Sequence, residues 1–289
     1  MSFAIMTDSA ANLPEEMIDK YSIEVLPLSF FVDEEEYSGY VKGQNTDLSQ
    51  FYQMMREKVH VKTSLVNIES AGLAFEEVLK SGKDVLYLGF SSGLSGTYQA
   101  VSIVLEELKE AYPNNKIFYI DTLSAALGEG LLVRYVIDLR ENGKTIEEAY
   151  QWVADNRLKL CHWFTVEDLF FLKRGGRLST AAAIFGSALS IKPVMHVDNE
   201  GHLIVIEKAR GRKKSLDSLY RYLEENIVNP ELQYVAISHG DCLEDAEYLA
   251  DKVKNRFHVK EMIVNILDPV IGAHSGPGTV ALFFLAERR

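Results

Sequence analysis

A chain of 289 residues with 30 basic and 42 acidic side chains carries a formal net charge of -12, a sign that repels phosphate backbones and argues against nucleic acid as a partner. Its 47% hydrophobic and 25% charged residues form an ordinary globular composition, ample for two domains, and its apolar runs fall short of the roughly 20 residues that span a bilayer. Residues 1–8 lack a basic region, so no signal peptide is expected, and Cys161 and Cys242 form no CxxC pair, so the cytoplasm is the simplest expected compartment.

Residues 3–7 predict a short apolar strand running into the turn Asp8-Ser9, after which Pro14 opens a first helix. Residues 23–28 read as a second strand, with Pro27 placing its end near an edge, and the acidic stretch 33–36 as a solvated loop. Asp47 supplies an N-cap for a helix whose Leu48, Phe51, Tyr52 and Met55 recur at helical spacing. A further helix is expected over 69–79, ending at Ser81-Gly82. Residues 85–90 are nearly continuously apolar, as a strand covered on both faces should be, and a polar loop leads to a helix over 98–111. Residues 116–120 repeat the pattern, followed by Asp121-Thr122 and a helix rich in Ala and Leu. Strand, polar loop and helix in repetition imply a parallel sheet with right-handed crossovers. The helix after Thr145 carries Ile146, Ala149, Tyr150 and Val153 on one face, and its end sets the expected boundary between domains 1–157 and 158–289.

The second half has a different grammar. Residues 192–197 and 202–207 flank Asp198-Asn199-Glu200-Gly201, which predicts an antiparallel hairpin. Leu216, Leu219, Tyr220 and Leu223 mark a helix, 234–238 a strand and 244–257 another helix. Residues 259–267 and 270–273 are expected to add strands, giving a mixed sheet packed by helices.

Three polar turns follow apolar strands: Asp8-Ser9, Ser91-Ser92-Gly93-Leu94-Ser95-Gly96-Thr97 and Asp121-Thr122. In open parallel sheets, ligands gather at that edge. The N–H groups and hydroxyls of the second turn can hold an anion at a helix start; its Ser and Thr can equally cap the next helix. Thr63, in Lys62-Thr63-Ser64, can donate to a carboxylate or act as a local cap. Lys173-Arg174-Gly175-Gly176-Arg177 sets three cations around two glycines, either a solvated cluster or a contact for an anion or partner. In Gly272-Ala273-His274-Ser275-Gly276-Pro277-Gly278 a rigid turn can aim His274 into a cleft, a context that His60, His162, His196, His202, His239 and His258 lack. His239-Gly240-Asp241-Cys242 lacks a paired metal-ligand spacing. Ser95 and His274 admit a hydrolase reading, without a G-x-S-x-G elbow or an evident orienting acid.

Thr7-Asp8-Ser9, Thr63-Ser64, residues 91–97, Asp121-Thr122, Gly175-Gly176-Arg177 and residues 272–278, in this order, resemble the DegV family over essentially the whole chain. That family comprises fatty-acid-binding proteins, among them the binding subunits of bacterial fatty acid kinases. The resemblance implies a two-domain α/β fold, with a parallel-sheet N-terminal domain, a mixed-sheet C-terminal domain and a ligand tunnel between them. It implies a non-catalytic carrier whose ligand is a long-chain fatty acid, with no cofactor or metal; the alternatives to a carrier are the hydrolase reading and a lipid-responsive binding module that works without a kinase. It places Thr63 and Ser95 on the carboxylate with His274 beside them, and Ser64, Ser92, Gly93, Gly96, Thr97, Asp121, Thr122, Gly176, Arg177 and Gly276 in supporting loops. Lys173, Arg174 and Arg177 become candidate contacts for a partner, a separate ATP-dependent kinase subunit that forms the acyl phosphate, and a transient membrane-surface contact is also expected. Below the ordinary histidine pKa near 6.5, His274 would add a charge-assisted contact; above it, a neutral donor. Many relatives carry Pro after the Thr-Ser pair, whereas this chain has Leu65-Val66-Asn67, a change expected to alter loop rigidity and pocket shape.

Overall fold

The computed structural model describes residues 3–44, 47–178 and 191–289. The chain opens with β1 (Ala4–Asp8), α1 (Glu15–Tyr21), β2 (Glu24–Leu26), β3 (Ser29–Val32) and β4 (Glu35–Ser38). Pro27 ends β2, and the hairpin of β3 and β4 follows. Residues 33–36, expected as a loop, are therefore half strand: Glu35 and Glu36 pair with Val32 and Phe31 across the hairpin. Their side chains are exposed, so acidic character is compatible with an edge strand that has one face in water.

Next come α2 (Leu48–Arg56), β5 (Val61–Ser64), α3 (Ile68–Lys80), β6 (Val85–Gly89), α4 (Thr97–Ala111), β7 (Ile117–Asp121), α5 (Leu127–Glu141) and α6 (Ile146–Asn156). Asp47 caps α2 by accepting from Gln50 N at 3.1 Å, and Thr145 and Glu148 close a capping box on α6. β2, β1, β6 and β7 form a four-stranded, wholly parallel sheet in that order, while β4, β3 and β5 form a small antiparallel one. A short 3-10 turn, Arg157–Lys159, contains the expected domain boundary and leads into the second large sheet.

That sheet is built from β8 (Leu160–Thr165), β9 (Ile191–Val197), β10 (Leu203–Arg210), β11 (Tyr234–His239), β12 (Glu261–Ile266) and β13 (Val280–Leu285). The order is β10-β9-β8-β13-β11-β12, with β11 and β12 parallel and the other pairs antiparallel. Helices α7 (Phe170–Arg174), α8 (Arg212–Asn226), α9 (Leu243–Arg256) and α10 (Pro269–Ser275) complete the described elements. Residues 270–273, expected as a strand, lie inside α10. An apolar run this short does not distinguish strand from helix, but Asp268 as N-cap followed by Pro269 at the first helical position is a helix start. β3, β4, β5, β8 and β13 have no counterpart among the predicted strands.

α5 lies between the large sheets, touching β1 and β6 on one side and β8, β11 and β13 on the other. Burial on both sides explains why its residues from Leu127 to Arg134 are buried all round rather than along one stripe. One apolar cluster, from Phe3 to Phe283, is continuous across both large sheets, and a second packs α8 and α9 on the far face of the six-stranded one. Arg289 joins the two halves. Its guanidinium donates to the carbonyls of Leu160, Arg157 and Asp198 at 2.9 Å each and of Leu123 at 3.0 Å.

Candidate binding cavity

Between the two halves lies a partly open cavity of about 290 Å³. Leu28, Phe90, Phe164, Leu267, Ile271 and Phe283 supply much of its apolar wall, while Thr63, Ser64, Ser95, Arg177 and His274 are joined by Ser275, Thr279 and His162, a histidine for which the sequence offered no such context, as its polar groups. Segments far apart in sequence thus meet at one space.

Thr63 sits near the end of β5, opposite Phe30 of β3, and His274 on the last turn of α10. Thr63 Oγ1 and His274 Nε2 are 2.7 Å apart. His274 Nδ1 is buried without a partner and lies against Gly175, so a proton there would have no acceptor. The favoured tautomer therefore carries its proton on Nε2 and donates to Thr63, which leaves the threonine hydroxyl free to donate onward. Burial, reinforced by Arg177 and Arg174, pushes the His274 pKa down to about 4. This burial shifts the expected onset of a charge-assisted contact from just below pH 6.5 to about pH 4, above which His274 is a neutral donor.

That depression has a measurable consequence. Between the ordinary value of about 6.5 and the folded value of about 4, the unfolded chain takes up a proton that the folded chain refuses. The stabilisation due to His274 is intact above pH 6.5 and drains away as pH falls towards 4. In urea unfolding, the lead of the parent protein over H274Q is expected to shrink across that window; a constant lead would refute the assignment.

Ser95 lines the same cavity but is also engaged locally. Its Oγ accepts from Thr97 N at 3.2 Å and shares a 2.9 Å hydrogen bond with Thr97 Oγ1, so it serves the first N–H of α4 from the position before the N-cap, Gly96, which itself has no side-chain cap. The polar partner of His274 Nε2 is Thr63 rather than Ser95, and the Ser95–His274 dyad that a hydrolase needs is not formed.

Gly96 and Ser64 also line the cavity, whereas Ser92, Gly93, Thr97, Asp121 and Thr122 brace it from outside. Asp121 Oδ1 accepts from Ser92 N at 3.3 Å and Leu123 N at 2.9 Å, and Thr122 Oγ1 donates to Gly89 O at 2.8 Å. Ser91 Oγ donates to Gly201 O at 3.0 Å, tying the loop to the turn between β9 and β10. A Cβ on Gly93 would stand 2.7 Å from Glu200 O, so this contact requires glycine.

Among the cations, Arg177 lines the cavity and donates to Leu94 O at 3.1 Å and Gly175 O at 2.6 Å. Arg174 lies over the rings of Phe170 and Phe171, 5.5 and 5.3 Å from their centroids, and Lys173 is exposed. Among the described residues no carboxylate forms an ion pair with any of the three. Of the glycines, Gly276 has φ +80 and packs against Phe171, and Gly176 has φ +71 with open space around it. Sequence reasoning missed Gly175 as the residue on which His274 rests. Where relatives often place proline, Val66 is buried and Asn67 caps α3 through Ser70 N at 3.0 Å, which anchors the loop by other means; Leu65 lines the cavity. His239 Nδ1 accepts from Cys242 N at 3.2 Å, so that segment is a turn.

Comparison with known proteins agrees with this architecture. The DegV family model, described as that of an uncharacterised protein, matches residues 2–287. A DegV domain-containing protein of Clostridium perfringens is 47% identical over 287 residues, covering 99% of this chain and 98% of the relative. A structure described as a fatty acid binding DegV family protein from Streptococcus agalactiae is 30% identical, with a TM-score of 0.86 and 100% of each chain covered. Another, described as fatty acid binding of a DegV family protein from Thermus thermophilus, is 27% identical, with a TM-score of 0.89 and 99% and 100% of the two chains covered. A parallel sheet and a mixed sheet closing on one cavity, matched along nearly the full length at sequence and structure level, make this chain a member of the DegV family.

Proposed function

We propose that this protein is a fatty-acid carrier: it binds a long-chain fatty acid with the tail in the apolar cavity and the carboxylate at Thr63, Ser95 and His274, and presents that carboxylate to a separate ATP-dependent kinase subunit. The observation that carries the binding reading is a mainly apolar cavity into whose lining Thr63 and His274 come as a hydrogen-bonded pair, with Ser95 and Arg177 lining the same space. Relatives described as fatty-acid-binding share its fold over their full length.

The physics suits such a ligand. About fourteen buried methylenes at about 0.8 kcal/mol each contribute on the order of 10 kcal/mol gross before the costs of binding. The carboxylate loses water, so donors must replace that hydration. A neutral His274 donating to Thr63 lets the threonine hydroxyl point at the carboxylate, while Arg177, paired with no acid among the described residues, supplies positive potential. The kinase step draws on Lys173, Arg174 and Arg177, which form no ion pair among the described residues and of which Arg177 lines the cavity, as cations suited to a partner that handles phosphate. The carrier itself contributes no bond-making group in this reading.

Calorimetric titration with saturated acids of rising length tests the tail. Each two-carbon extension is expected to tighten binding by about tenfold until the cavity is full, after which affinity levels off. Affinity that ignores chain length would sink the reading. ATP-dependent acyl phosphate formation in lysate, present with the carrier and absent without it, tests the kinase step.

A further inference from the structure

Leu267, Val270 and Ile271 face the cavity, but Asp268 between them faces the other way, towards a separate polar cavity of about 520 Å³ that Asn12 and Asp8 also line. Asp268 is only 8% exposed. Its Oδ1 accepts from Val270 N at 2.7 Å and Ile271 N at 3.2 Å, while its Oδ2 has no partner among the described residues. Burial, with a contribution from Asp8, raises its pKa to about 7, yet the capping oxygen accepts in either protonation state.

The capped helix is α10, seven residues long, and a helix so short does not hold itself in water. It is held at its ends. At the far end, Thr279 Oγ1 lies 2.9 Å from the carbonyls of both Ser275 and Gly276. At the near end stands Asp268, and the last turn between these anchors carries His274, whose Nε2 must meet Thr63 within 2.7 Å. A loosened first turn changes the angle at which α10 delivers the imidazole.

We propose that Asp268 is a positioning residue for headgroup recognition: as the N-cap of α10 it sets where His274 stands against Thr63, without touching the ligand. The assignment rests on the fatty-acid reading above. It makes the cap, rather than the buried charge, the property that matters.

A substitution series separates the two. D268N, D268S, D268G and D268A all remove the carboxylate, but only alanine is a poor N-cap. Each variant is titrated with palmitate, and the ring resonances of His274 are followed by ¹⁵N NMR in ligand-free protein. D268N, D268S and D268G are expected to stay within about threefold of the parent, with its imidazole tautomer. D268A is expected to bind about tenfold more weakly and to shift the ring resonances. Equal losses in all four, or an unchanged D268A, would overturn the proposal. If D268A does not melt cooperatively, the capping variants still decide, because parent-like binding in them supports the cap and a shared loss refutes it. The parent titration keeps the two readings apart: a parent that takes up no palmitate defeats the fatty-acid reading, while the ring resonances still report on positioning.

Discussion

G175A is expected to bind palmitate at least tenfold more weakly than the parent and to lose about 1–3 kcal/mol of stability, the usual cost of forcing atoms into a packed site. A Cβ at this position would stand 2.2 Å from His274 Nδ1, and the nearest other ring atom would be at 3.1 Å. Something must move. Gly175 has φ -72, so alanine brings no backbone penalty, and the whole effect is steric displacement of the imidazole. Gly176 next to it is the control. Its φ of +71 makes G176A cost about 1 kcal/mol in backbone strain, but nothing lies within 4 Å of the new methyl, so affinity should stay put. Titration calorimetry and urea melts on the two variants read both quantities. Parent-like affinity in G175A would mean that His274 has no part in binding.

T63V is the second large effect. Valine keeps the shape and removes the hydroxyl, so His274 Nε2 loses its 2.7 Å partner and the carboxylate loses a donor. Hydrogen bonds to charged groups are worth about 1.5–3 kcal/mol, which corresponds to a tenfold to hundredfold loss of palmitate affinity. S95A should cost less, because Ser95 Oγ already shares hydrogen bonds with Thr97 and yields only part of its capacity to the ligand. If S95A weakens binding more than T63V, the order of the two donors is wrong.

Most of the parallel half was readable from residue order. Val85 to Gly89 and Ile117 to Asp121 are continuous apolar runs with polar exits, and the structure places both in one parallel sheet beside β1. The Asp47 cap was legible for the same local reason: it acts on an N–H three residues away, and that chemistry is written in the sequence. The errors came where local pattern was ambiguous. Residues 270–273 satisfy strand and helix equally, and the Asp268-Pro269 start that decides between them was overlooked. Glu35 and Glu36 read as loop because acidic side chains are rare in covered strands, whereas an edge hairpin leaves them in water. β13 is a continuous apolar run of the same kind as residues 85–89 and was overlooked, whereas β8 carries His162 and Thr165 within its run and is recognised as a strand chiefly by its pairing with β13 and β9.

By itself, the sequence determined the element types with strong period or clear caps, the sign of the surface charge, and a set of motifs specific enough to indicate the DegV family. Only the tertiary structure decided which of those residues meet: that His274 pairs with Thr63 rather than Ser95, that Gly175 rather than Gly176 is the contact beneath the imidazole, and that Asp268 lies behind the cavity wall. The reason is physical. Helix and strand signals act over a few residues, while the Thr63–His274 contact joins positions 211 apart, and its distance and tautomer depend on packing that no linear spacing encodes.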